Sequence, residues 1–154
     1  METIKTDFDE FKDEISNSFF FQIHRIKRTI FRHTNALMNE AGINLQQEQL
    51  PILMILQRKS MSQRELSDIT MRDKSSILRS VNALEKKALV EVQKDDTDKR
   101  KNIVSLTTEG FSIAKRIRLL MKKSEDEVLA VFSDTERAEA LETIKGFADK
   151  LDAL

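Results

Sequence analysis

The sequence predicts a mainly α-helical chain carrying one small β-hairpin, and three observations lead there. Only three glycines and one proline interrupt 154 residues, so long helices are expected. Apolar residues recur every three or four positions through both ends of the chain. One central pair of β-branched segments flanks a charged loop, the pattern of a hairpin. The length suits one domain with a core of its own, and a chain 40% hydrophobic and 34% charged has an ordinary globular composition. No apolar run approaches the roughly 20 residues that span a bilayer. The acidic start, Met1 to Glu14, lacks a basic-then-apolar signal pattern. The expected address is therefore the cytoplasm. The absence of cysteine excludes disulfides and thiolate chemistry.

Phe8, Phe11, Ile15, Phe19, Ile23, Ile26, Ile30 and Leu37 predict one long helix over 8–40, stopped by Gly42. A second helix is expected over 46–58, burying Leu50, Leu53, Met54 and Leu56; Pro51 belongs in a first turn, which moves the start toward residue 48. Ser62 and Glu65 form a capping box opening a short helix over 63–70. Met71 and Arg72 make a turn, and Asp73 caps the next helix, 74–87. Strands over 89–93 and 102–106 enclose the polar loop 94–101. Thr107 caps a helix running to about 131, and 135–154 forms the last, with Ala138, Leu141, Ile144, Ala148 and Leu151 on one side. The order of elements is a winged helix-turn-helix over 46–107. Long helices, 8–40 and 108–154, stand on either side within a single subunit, 1–154.

The formal net charge is zero, but its distribution is uneven. Residues 1–14 sum to −4 and 15–57 to +2, residues 58–123 carry 17 basic and 9 acidic side chains (+8), and 124–154 sum to −6. A basic centre between acidic ends presents a local field suited to a phosphate backbone.

At 100° per residue, Ile77, Val81, Leu84 and Ala88 form a narrow apolar stripe on the helix 74–87. Ser75, Arg79, Asn82 and Lys86 lie opposite. A guanidinium can fork onto guanine, an amide can pair with adenine, and an amine seeks phosphate. Leu78, between the two faces, suits a thymine methyl. Such a helix enters a major groove N-terminal half first, so Ser75, Ser76 and Arg79 are expected to reach deepest, with Lys74 also among the DNA-binding residues. Any surface helix turns polar residues outward, so Arg79 alone carries little weight; the capping box, compact turn and basic hairpin in sequence carry the reading. In the hairpin, Asp98 and Arg100 are two residues apart, so an extended wing would put them on one side. The aspartate would there hold the guanidinium straight for a minor groove, with Lys94, Lys99 and Lys101 on phosphates.

The runs Asp73-Lys74-Ser75-Ser76-Ile77-Leu78-Arg79, Leu84-Glu85-Lys86-Lys87-Ala88-Leu89-Val90, Asp98-Lys99-Arg100 and Leu106-Thr107-Thr108-Glu109-Gly110 resemble the MarR family of bacterial regulators. The specific part of the resemblance covers about 45–112. It implies a two-fold dimer whose N- and C-terminal helices intertwine. It also implies repression or activation controlled by small ligands, often aromatic anions. Ser75, Ser76 and Arg79 match recognition-helix contacts, and Asp98 and Arg100 the wing pair. The chain departs from the family where Ala88 replaces a glycine, Val92 a frequent arginine and Asp96 a proline; a less sharply turned helix end is expected at Ala88.

All nine phenylalanines lie outside 32–110. Helices apolar on more than one stripe have more to bury than one small subunit offers, which predicts a homodimer and a pseudo-palindromic operator with half-sites about 10 bp apart or a multiple. Aromatics such as Phe20, Phe31 and Phe111 are expected to be core rather than a ligand pocket. Two histidines make no zinc cluster, and no phosphate loop or nucleophile constellation suggests an enzyme or a cofactor. The sequence reading is thus a sequence-specific duplex-DNA-binding regulator, most simply a ligand-responsive repressor. The alternative is a winged-helix protein-interaction module without DNA binding, supported by Glu91, Asp95 and Asp96 in the wing.

Overall fold

The computed structural model describes residues 7–154, so the expectations for residues 1–6 lie outside the described part. The elements are α1 (Asp7–Ser16), α2 (Phe19–Glu40), a 3-10 turn (Gln47–Gln49), α3 (Leu50–Leu56), β1 (Met61–Ser62), α4 (Gln63–Thr70), α5 (Lys74–Lys86), β2 (Val90–Lys94), β3 (Asn102–Leu106), α6 (Thr108–Leu129) and α7 (Asp134–Asp152). No helix among the described residues is long and apolar enough to cross a membrane.

The chain divides into two compact units, one of residues up to His33 with Lys122–Leu154, the other Thr34–Met121. In the second, three short helices and a sheet enclose one core. Ile52, Leu53, Leu66, Ile77, Val81, Leu84, Val104, Ala114 and Ile117 are sealed from solvent. β3 lies in the middle of the sheet, with β2 on one side over the pairs Val90↔Leu106 to Lys94↔Asn102. On the other side is β1, pairing Met61↔Val104 and Ser62↔Ile103. That third strand was not expected, because two residues are too few to show alternation. Ser62 both ends β1 and caps α4. Its hydroxyl accepts the Glu65 N–H at 3.2 Å, and the Glu65 carboxylate accepts the Ser62 N–H at 2.8 Å.

Three helices end in the same way, each with one residue in the left-handed region and two closing hydrogen bonds. After α2, Gly42 (φ 70) donates to the Asn39 carbonyl and Ile43 to that of Met38. After α4, Met71 (φ 52) and Arg72 bond Asp68 and Ser67 likewise. After α5, Ala88 (φ 55) and Leu89 bond Glu85 and Leu84. The helix end at Ala88 is therefore as sharply turned as a glycine would make it, against the expectation, and the alanine carries the strain. α6 then starts hard against this turn. Thr107 donates its N–H to the Leu89 carbonyl (3.1 Å) and its hydroxyl to that of Ala88 (2.7 Å), and its Oγ1 accepts the Gly110 N–H.

In the other unit the single helix expected over 8–40 is broken at Asn17 and Ser18 into α1 and α2. The Ser16 hydroxyl and the Asn17 amide both donate to the Asp13 carbonyl, at 2.9 and 2.8 Å. Side chains of these types compete with the backbone ladder and end helices locally. α2 meets α7 through Phe19 and Phe147, ring centroids 4.9 Å apart. It meets α6 through His33, whose ring nitrogens lie 3.0 Å from Ser124 Oγ and 3.2 Å from the Glu127 carboxylate. α7 opens with an unforeseen capping box, Ser133 with Glu136. Much apolar surface stays open in the single chain. Phe20 is 82% exposed, and Phe11, Phe19, Ile26, Phe31, Phe111, Phe132, Leu141, Ile144, Phe147 and Leu151 are exposed too. The aromatic residues expected as core are thus not core of one subunit.

Candidate nucleic-acid interface

α4, the turn at Met71 and α5 form a helix-turn-helix, and the buried and open faces of α5 fall where the periodicity puts them except at Ala88. That residue was expected in the buried stripe but lies past the end of the helix, in the left-handed turn, and is exposed. Ile77, Val81 and Leu84 are fully buried. Lys74, Ser75, Leu78, Arg79, Asn82 and Lys86 are exposed. Among the described residues nothing hydrogen-bonds the Arg79 guanidinium, so its donors are open to a ligand. Ser75 is exposed, but its hydroxyl donates to the Asp73 carboxylate (2.6 Å), which also accepts the Ser76 N–H (2.8 Å). These bonds, that of Ser75 first, hold the Asp73 carboxyl below its usual range. With its proton so engaged, Ser75 has only lone pairs to offer, which could accept from a base amino group but not contact a phosphate. Ser76 departs from the expected leading position. It is half-buried and turned toward Arg72, whose guanidinium occupies its oxygens.

The wing also departs from the expected form. Residues 95–101 are a turned loop, not extended strand. The Asp95 carboxylate gathers the Thr97 hydroxyl (2.6 Å) and the N–H groups of Thr97 (2.9 Å) and Asp98 (2.7 Å). Led by the Thr97 hydroxyl, these bonds hold its carboxyl below the ordinary value. Asp98 accepts the backbone N–H of Arg100 at 3.1 Å. Among the described residues, Asp98 and Arg100 are therefore joined through the main chain and not by an ion pair. The aspartate shapes the loop, and the guanidinium projects freely. Lys94, Lys99, Arg100 and Lys101 are exposed, and Lys99 makes only a 3.7 Å surface pair with Asp96, worth little in water.

Between the wing and the start of α4 lies an open cleft of about 890 Å³, with Arg64, Lys74, Arg100 and Lys101 among its lining residues. Its acids are Glu65, Asp95 and Asp98, committed to the hydrogen bonds described above, and Asp68, so four carboxylates and four cations line the cleft. Arg64 was missed in the sequence; its signal was a cation two residues inside a capped helix facing a basic hairpin. Arg72 was missed as well. It belongs to a set of three cations that hold the carbonyls of the segment after α2. Arg116 donates to Ala41 (2.7 Å), Lys87 to Asn44 (2.5 Å) and Arg72 to Glu48 (2.7 Å).

The MarR family model matches residues 41–101, which hold the helix-turn-helix and the wing. This lobe belongs to the MarR family. Solved structures extend the likeness of fold to most of the chain. The PcaV transcriptional regulator of Streptomyces coelicolor, crystallised with its natural ligand, superposes with a TM-score of 0.77 at 21% identity, over 88% of this chain and 94% of that one. Wild-type MarR of E. coli in its apo form gives 0.70 at 21%, over 84% and 96%. A probable transcriptional regulator from Pseudomonas aeruginosa gives 0.69 at 25%, over 89% and 98%. No curated protein matches the sequence. Among the described residues no group of three or more His, Asp or Glu is placed to hold a metal.

Proposed function

We propose that this MarR-family protein is a homodimeric, sequence-specific duplex-DNA-binding regulator of transcription acting in the cytoplasm, most simply a ligand-responsive repressor and not an enzyme. One observation carries the reading: α5 buries Ile77, Val81 and Leu84 while Arg79, Asn82 and Lys86 stand open on its far side. Arg79 and Asn82 would meet base edges in the major groove and Leu78 a thymine methyl. Lys74, Lys86 and the wing residues Lys94, Lys99 and Lys101 would meet phosphates, with Arg100 toward the minor groove. The open apolar side chains of α1, α2 and α7 support a second copy as the partner, because a folded monomer rarely leaves so much apolar surface wet. Control by a small ligand rests on likeness to the Streptomyces regulator, solved with its natural ligand.

The test is selection of duplexes from a random pool, followed by affinity measurements across salt. Arg79→Ala is expected to cost about 1–3 kcal/mol and relax one base position. Arg100→Ala is expected to weaken all duplexes alike and lower the salt slope by about 1. If both variants bind the selected duplex as the parent does, the interface is elsewhere. A chain that binds no duplex at low salt would be the protein-interaction module instead, with the exposed Ile69 and Met71 beside the turn as its docking point.

A further inference from the structure

Arg72 reads in the sequence as half of a turn, yet its guanidinium joins the recognition helix to the 3-10 turn before α3. Nε and Nη2 both donate to Ser76 Oγ, at 3.2 and 2.7 Å. Nη2 also reaches Ser80 Oγ (2.8 Å) and the Ser76 carbonyl (3.2 Å), and Nη1 donates to the Glu48 carbonyl (2.7 Å). Every one of these acceptors is neutral. The cation also sits beside the N-terminus of α5, where the helix dipole disfavours positive charge. Among the described residues no acid pairs with Arg72, so its charge alone does not explain an arginine there. What the residue supplies is a rigid planar fork.

Ser76 and Ser80 are one helical turn apart and border the buried stripe of Ile77 and Val81. A fork gripping both, anchored to Glu48, fixes the rotation of α5 about its own axis. The faces carrying Arg79 and Asn82 turn with it, and recognition groups work only when held within about 0.5 Å and 10–20°. We infer that Arg72 is a positioning residue for base readout: it sets the rotation of α5 against the core and leaves phosphate contact to other cations. The inference rests on the DNA-binding reading above.

The decisive variant is Arg72→Lys, which keeps the charge and loses the fork; Ser80→Ala removes one arm only. Affinities of the full chain for its selected duplex and for a scrambled duplex are measured across salt, and amide exchange in α5 is followed without DNA. The expected result for Arg72→Lys is a specific-to-nonspecific ratio about tenfold lower, with nonspecific affinity and salt slope unchanged, since the phosphate contacts remain. Ser80→Ala should fall between this variant and the parent. Exchange at Ile77 to Ser80 should quicken in Arg72→Lys. A parent-like ratio in folded Arg72→Lys overturns the inference, even if its melting temperature drops. So does an equal loss on both duplexes with a shallower salt slope, which would make Arg72 a phosphate ligand. If the parent selects no sequence at all, it is the DNA reading that fails. The exchange measurement then decides the clamp, and unchanged exchange in α5 removes it.

Discussion

Gly110 stands in the first turn of α6, where alanine is ordinarily the better helix former by up to about 1 kcal/mol. Here the sign should reverse. A methyl group at Gly110 would lie 1.8 Å from the Leu89 carbonyl oxygen, 2.8 Å from its carbon and 3.3 Å from Leu106 Cδ2. Real contacts of this kind do not fall under 3.0 Å, so backbone and helix must part by at least 1.2 Å, the difference from 1.8 Å. The carbonyl cannot simply yield. It accepts the Thr107 N–H, and its neighbour at Ala88 accepts the Thr107 hydroxyl. Separation would strain both bonds, each worth about 1 kcal/mol, and add an overpacking cost of about 1–3 kcal/mol. Less the helix-propensity gain, Gly110→Ala should lose about 2–4 kcal/mol, a large share of a small domain's stability. Gly146 is the control, because a methyl group there meets nothing within 4 Å in the chain; Gly146→Ala should be neutral or stabilising by up to about 1 kcal/mol. Urea unfolding of the parent and both variants at one protein concentration, which matters for the proposed dimer, reads the difference. A parent-like midpoint for Gly110→Ala would refute the close approach of α6 to Leu89.

Ala88→Gly and Met71→Gly should each stabilise the lobe by up to about 1 kcal/mol by relieving left-handed backbone at φ 55 and 52, read as a higher melting temperature; a loss from both would contradict the strain. The carboxyls of Glu65, Asp73, Asp95 and Glu136 are all held below their ordinary values, chiefly by hydrogen bonds from Ser62, Ser75, Thr97 and Ser133 respectively. Each binds its proton less readily folded than unfolded. Their stabilisation is therefore present above the ordinary carboxylate range, about 4, and is lost as pH falls through it and below each folded value. Melting temperature should drop on acidification through that window, and Asp95→Asn should blunt the drop; a flat profile would contradict the assignment.

The parts of the fold that were legible in the sequence are those written in neighbouring residues. Ser62 with Glu65 and Asp73 with Ser76 are separated by three positions, and the caps stand as read. The buried stripe of α5 was legible because its period repeats over two turns, Ile77 to Leu84; Ala88 continues the spacing but lies beyond the helix end and is exposed. The break at Asn17 and Ser18 was hidden because polar residues there suit the outer face of a helix as well as its end. Asp98 and Arg100 were misread because their spacing was taken as extended, whereas Asp95 gathers the loop into a turn. Arg72 escaped notice because its partners lie 4, 8 and 24 residues away, two on α5 and one on the 3-10 turn before α3. That Ser76 is half-buried and held by Arg72 was hidden for the same reason, since its spacing alone fits the leading turn.

The three cations that grip the carbonyls of Ala41, Asn44 and Glu48 make α5 a suspended rod. Arg72 adjoins one of its ends and Lys87 the other, and both hang from a strap eight residues long that Arg116 pins to α6. A rod tied at both tips to the same strap resists bending and pivoting about a single tip. Displacement of the strap would carry the exposed face of α5 as a whole, so Arg79, Asn82 and Lys86 would shift together.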